Sequence, residues 1–238
     1  MKHFRAAMLA FAALALISGL AGCEEHANIH GDKTVVMLLD DQADFLRADG
    51  RDPVAQNQVP GLISATNAII AAAHKHDVPV SYVRDEFAVW DLMDYFKRHG
   101  AAPALWTGSE LDPSIDQWDG PYFIKNYPDA LRNSQLQGWL AMQRAGKLVI
   151  GGVYVDGSVL ATVRGAIQRG FHVVVISDAV AGRTDEARDA ALKAMSDAGA
   201  RIQSSQEFIA SLAANTASEH LPEPKIEYSN PNGLPDNG

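Results

Sequence analysis

Cysteine is almost absent from this chain of 238 residues, which has Cys23 and no other. A single cysteine excludes an internal disulfide, so the fold cannot depend on one. The scarcity of cysteine also limits the chemistry of the rest of the chain. If Cys23 is modified, no thiol remains to act as a nucleophile or as a metal ligand.

Basic residues are in the minority, and no lysine- or arginine-rich run occurs. The chain has 20 lysine and arginine residues against 29 aspartate and glutamate residues, which gives a formal net charge of -9. Binding along a nucleic acid requires basic side chains that neutralise successive phosphates. The composition therefore argues against a nucleic-acid partner.

The chain also lacks a hydrophobic run long enough to cross a bilayer comfortably. The apolar stretch at residues 6–20 has about 15 residues, fewer than the ~20 that a spanning helix needs. It follows Lys2 and Arg5, as in a secretory signal peptide, which we place at residues 1–22. The sequence Leu-Ala-Gly-Cys at residues 20–23 resembles the lipobox of bacterial lipoproteins.

The lipobox resemblance implies that the signal peptide is removed and that the thiol of Cys23 is acylated. We therefore expect an exported protein, lipid-anchored to a bacterial membrane and facing the periplasm, with the anchor as its only membrane contact. Glu24 is compatible with sorting to the outer membrane, but the sequence leaves the inner and outer membranes open. The alternative is a buried Cys23 in an N-terminal helix.

Composition divides the rest of the chain into three parts. Residues 23–33 are polar without periodicity and are predicted to form a tether. Residues 215–238 carry four prolines among Asn, Ser and Gly and are predicted to form a mobile tail. One folded domain is expected between them, over residues 34–214.

Apolar runs of strand length alternate with segments of helical period across this domain. The runs are short and rich in β-branched residues, as expected of strands buried on both faces. They are residues 34–39, 79–83, 147–150 and 172–176, with weaker candidates at 122–124 and 201–203. The alternation predicts an α/β fold of three αβα layers around a mostly parallel six-stranded sheet. Ligands of such sheets bind outside the carboxyl ends of the strands.

Residues able to carry chemistry follow three of the predicted strands. Asp40 and Gln42 come after the first strand, and Lys125 comes after the run at 122–124. The run at 147–150 leads into residues 151–158, with the sequence GGVYVDGS, at the start of a predicted helix. A carboxylate, an ammonium group and a helix N-terminus are therefore expected at one edge of the sheet.

In this order, these residues resemble the isochorismatase-like, or cysteine hydrolase, family. Its marks are an Asp-x-Gln after the first strand, a lysine after the third, and a Gly-Val-x-Thr-x-x-Cys-Val turn. The resemblance implies that Asp40, Lys125 and Ser158 occupy the catalytic positions. It also implies a cis peptide between Val153 and Tyr154, and an oxyanion hole formed by the backbone N–H groups of Tyr154 and Ser158.

The chain departs from the family at the nucleophile, because Ser158 stands where the family has cysteine. A hydroxyl loses its proton nearer the pKa of water, about 15.7, than the pKa of a thiol, about 8.5, so its activation costs roughly 10 kcal/mol more. Asp40 alone is a poor base for that task. A second departure is Val155, which replaces the usual threonine of the turn.

Several of these residues also have a purely structural interpretation. We interpret Asp41 and Asp44 as solvent-facing or helix-capping carboxylates. Ser158 is either the nucleophile or simply the N-cap of the following helix. Four aromatic residues could line a pocket, although such residues more often belong to a core. They are Trp90, Tyr95, Phe96 and Trp106.

No metal ion and no cofactor are expected. Nicotinamidase-like relatives have an Asp-x-His pair and a further histidine soon after the first aspartate, whereas this chain has no histidine between Asp44 and Ala73. His74 and His76 are two residues apart on a predicted helix and therefore point in different directions. We interpret both as surface residues.

Three functions remain open after the sequence analysis. The first is hydrolysis of a small amide, ester or vinyl-ether metabolite, with Ser158 attacking in place of cysteine. The second is hydrolysis without a covalent step, in which Asp40 protonates a vinyl ether and water captures the cation. The third is a lipid-anchored pseudoenzyme that binds a small molecule. The sequence favours the hydrolase and leaves open the substrate and the formation of a homo-oligomer.

Overall fold

The computed structural model describes residues 31–86, 101–103 and 107–219. The signal peptide, Cys23, most of the tether and residues 220–238 lie outside the described residues, and so do Trp90, Tyr95, Phe96 and Trp106. Within the described ranges, no helix combines the length and the apolar character needed to span a membrane.

Six strands form a single sheet, and all five of their pairings are parallel. They are β1 (Lys33–Leu39), β2 (Val80–Asp85), β3 (Tyr122–Lys125), β4 (Ala145–Gly152), β5 (His172–Val180) and β6 (Arg201–Gln203). Their order in the sheet is β3-β2-β1-β4-β5-β6. The first strand is therefore central, β2 and β3 extend the sheet on one side of it, and β4, β5 and β6 extend it on the other. This arrangement confirms the predicted α/β fold.

Helices connect the strands and cover both faces of the sheet. The described helices are α1 (Ala43–Leu46), α2 (Val59–Lys75), α3 (Ser134–Met142), α4 (Leu160–Gln168), α5 (Asp185–Asp197) and α6 (Ser205–Glu219). A single π-helical turn, Val155–Val159, precedes α4. Helix α6 continues through Glu219, beyond the boundary predicted at residue 214.

The strand side chains alternate between two hydrophobic cores. Val36 and Leu38 of β1 point into a core shared with α2 and α6. Val35, Met37 and Leu39 point into the opposite core, which is shared with α3, α4 and α5. Because both faces of the central strands are buried, these strands have continuous apolar sequences. The two cores produce the three αβα layers that the sequence predicts.

The carboxyl ends of β1 and β4 approach each other closely at Gly152. A Cβ atom on Gly152 would lie 1.9 Å from the carbonyl oxygen of Leu39, and the residue has a φ of +117° that side chains rarely adopt. Glycine is therefore required at this position. It places the loop that follows β4 directly beside Asp40, which follows β1.

Candidate active site

Lys125 lies at the centre of a cluster of four polar side chains at the carboxyl edge of the sheet. It is the last residue of β3 and pairs in register with Asp85, the last residue of β2. Its Nζ lies 2.8 Å from Oδ2 of Asp40 and 3.5 Å from Oδ1 of Asp85. It also donates a hydrogen bond of 3.1 Å to Oγ of Ser158. The structure thus brings together Asp40, Lys125 and Ser158.

The charged members of the cluster are withdrawn from water to different degrees. The side chains of Lys125 and Asp40 are 2% and 3% exposed, whereas that of Asp85 is 14% exposed. Burial of a single charge would be strongly unfavourable, and opposite charges at hydrogen-bonding distance offset that cost. Because the surrounding dielectric is low, the charges in this cluster influence one another strongly.

Asp40 has an unusual backbone conformation. Its φ is +59°, in the left-handed region that non-glycine residues seldom adopt. Two backbone hydrogen bonds maintain the conformation: its N–H donates to the carbonyl of Val83 in β2, and its own carbonyl accepts from the N–H of Gln42, each at 2.7 Å. Strained conformations of this kind are concentrated at functional sites.

Gln42 is completely buried and holds the backbone of the site. Its Oε1 accepts from the N–H of Asp85 at 2.7 Å, and its Nε2 donates to the carbonyl of Asp85 at 2.9 Å. The same Nε2 donates to the carbonyl of Ser109 at 2.7 Å. The glutamine of the Asp-x-Gln sequence therefore fixes the end of β2, where Asp85 points towards Lys125.

The loop after β4 carries the cis peptide bond Val153-Tyr154 and then the π-helical turn. Ser158 lies in that turn and is partly buried. The N-cap of α4 is Val159, which makes no side-chain capping bond, so the interpretation of Ser158 as a simple N-cap is wrong. Its hydroxyl instead faces Lys125. The N–H of Val155 donates to the carbonyl of Ala181 at 2.9 Å.

An open pocket of about 350 Å³ lies over this cluster. Its lining includes Asp40, Asp85, Tyr154, Ser158 and Arg183. The volume is at the lower end of the range for sites that bind small molecules. Ser158 and the loop with the cis peptide border the same space, so a bound carbonyl group could contact both.

Arg183 and Tyr154 form one wall of the pocket with Asp52. The guanidinium of Arg183 lies 4.1 Å from the centre of the Tyr154 ring and 2.6 Å from Oδ2 of Asp52. The hydroxyl of Tyr154 donates to the backbone carbonyl of Asp52. Burial, followed by the charge of Asp52, raises the pKa of Tyr154 above its usual value. The tyrosine is therefore a neutral hydrogen-bond donor at physiological pH.

The sequence pattern does not point to Asp85, Asp52 or Arg183. The run at 79–83 predicts the second strand, but the strand extends two residues further and brings Asp85 to the same edge as Lys125. For Asp52 and Arg183 the sequence carries no signal, because each lies in an irregular segment.

The interpretation of Asp41 and Asp44 as solvent-facing or capping residues is wrong, because their exposures are 1% and 4%. Oδ2 of Asp44 accepts from the N–H of Ala102 at 2.9 Å, so a segment distant in sequence covers it. Both carboxylate oxygens of Asp41 lack a hydrogen-bond partner among the described residues. Burial, together with the charges of Asp40 and Asp112, raises the pKa of Asp41 well above its usual range.

The side chains near the pocket do not fit a divalent metal ion. Within the described ranges, no group of three or more His, Cys, Asp or Glu side chains is arranged to hold a metal. Asp52 binds the guanidinium of Arg183 instead. His74 is exposed and stacks on Trp118 at 3.7 Å between ring centres, and His76 is partly buried beyond the end of α2. His74 and His76 come just before the start of β2, so they lie at the edge of the sheet opposite the cluster.

Comparison with known proteins identifies one family. The Isochorismatase domain family matches residues 34–207. The uncharacterized isochorismatase family protein YwoC of Bacillus subtilis is 25% identical over 192 residues, which cover 76% of this chain and 95% of that protein. The family match, over residues 34–207, includes all the residues of the central cluster.

Several solved structures have folds similar to that of this chain. An isochorismatase-like hydrolase from Alkaliphilus metalliredigens is 18% identical, with a TM-score of 0.70 over 76% of this chain and 99% of that one. A cysteine hydrolase from Pseudomonas syringae is 16% identical, with a TM-score of 0.70 over 76% and 93% of the two chains. A nicotinamidase from Bacillus subtilis is 19% identical, with a TM-score of 0.63 over 71% and 98%. At these identities the likeness establishes the fold.

Proposed function

Because the chain belongs to the isochorismatase family of hydrolases, we propose that it hydrolyses a small amide, ester or vinyl-ether metabolite and uses Ser158 as its nucleophile. The observation that carries this proposal is the hydrogen bond of 3.1 Å between Nζ of Lys125 and Oγ of Ser158. It places the hydroxyl beside a buried cation and at the border of the pocket. A serine that served only to cap a helix would face the helix instead.

The contacts of Lys125 supply a route for the serine proton. Nζ lies within hydrogen-bonding distance of both Oγ of Ser158 and Oδ2 of Asp40. When Nζ gives a proton to Asp40, the electron pair that this frees can accept the hydroxyl proton, so Lys125 changes from donor to acceptor towards Oγ. Oγ attacks the carbonyl carbon of an amide or ester and forms an acyl-enzyme, which water later hydrolyses.

The loop after β4 is suited to stabilise the negative charge that this attack creates. We assign the backbone N–H groups of Tyr154 and Ser158 as the oxyanion hole, since both residues line the pocket. Donors that are fixed before the reaction act strongly because they need no reorganisation, and each contributes about 3 to 4 kcal/mol in well-studied hydrolases. Such donors offset part of the additional cost of activating a hydroxyl.

A binding pseudoenzyme is the second candidate, and the direction of the Lys125–Ser158 hydrogen bond favours it. Lys125 donates to Oγ, which holds the hydroxyl as an acceptor rather than drawing its proton away. In this alternative the protein retains the pocket for a small ligand and does not turn it over. Replacement of Ser158 by cysteine would then restore some hydrolysis, because a thiol is far more easily ionised.

We also propose that the protein is anchored through acylated Cys23 and faces the periplasm. Residues 24–32 separate this cysteine from Lys33, the first residue of β1. The amino end of β1 and the pocket lie at opposite edges of the parallel sheet. An anchor joined at that end would therefore leave the pocket accessible to soluble small molecules.

Turnover of a panel of small esters and amides, with p-nitrophenyl acetate and nicotinamide as the first members, tests the function. We expect hydrolysis by the wild-type protein and a loss of at least about a thousandfold in Ser158→Ala. Ser134→Ala provides the matched control, because Ser134 is an exposed residue at the start of α3. Unchanged turnover in Ser158→Ala would instead favour noncovalent hydrolysis, in which case Asp40→Asn should still remove activity.

A further inference from the structure

Two carboxylates share the single buried lysine of the site. Asp40 lies 2.8 Å and Asp85 lies 3.5 Å from Nζ of Lys125. Asp85 also lines the pocket and is the more exposed of the two. The cluster therefore contains an acid group in addition to the three residues at the catalytic positions.

We propose that Asp85 strengthens Asp40 as the base that receives the serine proton, and that it acts through Lys125. This inference rests on the proposed function, since it assumes that Ser158 attacks. A carboxylate that is the only acidic group beside a lysine is stabilised in its ionised form and accepts a proton poorly. A second carboxylate beside the same lysine divides the stabilising charge and repels the first, so protonation of one of them becomes more favourable.

The backbone of Asp85 is held in position by Gln42 and by the pairing of β2 with β3. Its peptide N–H and carbonyl are both bound by the side chain of Gln42, at 2.7 and 2.9 Å. Its strand pairs in register with Lys125 itself. The side chain thus approaches Nζ from a rigid strand end, and it does so from the side of the pocket. We classify Asp85 as a positioning residue, because it influences the reaction through Lys125 and Asp40.

The protons and charges balance in this scheme. A proton on Nζ of Lys125 passes to Oδ2 of Asp40, and the electron pair that this frees accepts the proton of Ser158 as its O–H bond breaks. Lys125 remains an ammonium group, Asp85 remains ionised, and Asp40 becomes neutral. Oγ forms a bond to the substrate carbon, and the negative charge moves to the carbonyl oxygen of the substrate.

The pH dependence of serine labelling by a fluorophosphonate tests this proposal without knowledge of the substrate. In this reaction Oγ forms a bond to phosphorus and the P–F bond breaks, releasing fluoride. The rate of modification at Ser158 is measured by mass spectrometry on the full purified chain. The rate falls at acidic pH as Asp40 becomes protonated before the reaction, which defines an acid limb.

We expect Asp85→Asn to label about tenfold more slowly on the plateau, and its acid limb to lie at lower pH by about one unit. Both changes have this direction because removal of the neighbouring negative charge makes Asp40 a weaker base. Asp85→Glu, which keeps the charge, should restore both the rate and the position of the limb. Glu86→Gln is the matched control, since Glu86 is the next residue and pairs with Arg84; its acid limb should remain unchanged.

Each outcome decides between the inference and the function on which it rests. If Asp85→Asn is labelled at the wild-type rate and with the wild-type acid limb, the proposed role of Asp85 is wrong. The proposal that Ser158 is the nucleophile would then still stand. A wild-type protein that is unlabelled at every pH would overturn the nucleophilic serine, and this proposal with it. A limb that moves in Asp85→Asn and returns in Asp85→Glu supports the proposal, because a merely structural role would not move it with charge.

Discussion

The side chain of Gln42 binds both backbone groups of Asp85, one through its carbonyl oxygen and one through its amide nitrogen. This relationship gives a physical reason for a glutamine two residues after Asp40. The same short segment supplies Asp40 and fixes the strand end that carries Asp85. Replacement of Gln42 should therefore disturb the cluster without removing any of its charges.

Gln42→Leu should destabilise the protein by about 3 kcal/mol, because it leaves the partly buried backbone groups of Asp85 and the buried carbonyl of Ser109 without this partner. The comparison is made by urea unfolding, with Gln137→Leu as the control at an exposed glutamine outside the site. We also expect slower fluorophosphonate labelling of Ser158 in the folded Gln42→Leu protein. Stability within about 0.5 kcal/mol of the wild type would contradict this account of Gln42.

Asp41→Asn should stabilise the protein at neutral pH. Because burial raises the pKa of Asp41 in the folded state, the wild-type protein loses stability as pH rises above the ordinary carboxyl value of 3.8 and through the raised value. Asparagine has a similar shape and does not ionise. The two proteins should therefore be equally stable at acidic pH, and the variant should become progressively more stable as pH rises through that window.

Thermal unfolding over a series of pH values measures this difference for Asp41. Asp49→Asn is the control, since Asp49 is exposed and its replacement should change the free energy of unfolding by less than about 0.5 kcal/mol. A pH-independent difference between Asp41→Asn and the wild type would show that Asp41 does not titrate as its burial requires.

Cys23→Ser should release the protein from membranes or leave the precursor unprocessed. The lipobox resemblance at residues 20–23 is the reason, since an acyl chain requires the thiol of Cys23. Membrane fractionation with mass spectrometry of the N-terminus distinguishes the two results. Membrane association of a correctly cleaved, unacylated variant would show that the anchor lies elsewhere.

The sequence predicted the parts of the structure that depend on local pattern and on parallel order. The continuous apolar run at residues 34–39 indicates a central strand, because such a strand is buried on both faces. The carboxyl ends of parallel strands lie at the same edge of a sheet, which predicts that Lys125 lies at the same edge as Asp40. The fold and the meeting of Asp40, Lys125 and Ser158 follow from these two facts.

Burial contributed by distant segments was not predictable. Asp44 is charged and follows a strand, and it is covered by the return of the chain at residues 101–103 and at Gly108. The last residues of β2, Arg84 and Asp85, are charged, so their pairing with β3 has no hydrophobic signal. The contribution of such charged residues to the sheet becomes visible only in the three-dimensional structure, where the neighbouring strand lies beside them.

The central claim is that Ser158 forms a covalent intermediate. Rapid quenching of the protein during turnover of p-nitrophenyl acetate, followed by peptide mass spectrometry, tests it most directly. We predict one acetyl group on the peptide that contains Ser158, absent from Ser158→Ala and retained in Ser134→Ala. Continued turnover without an acetylated peptide, and with the same rate in Ser158→Ala, would contradict the account.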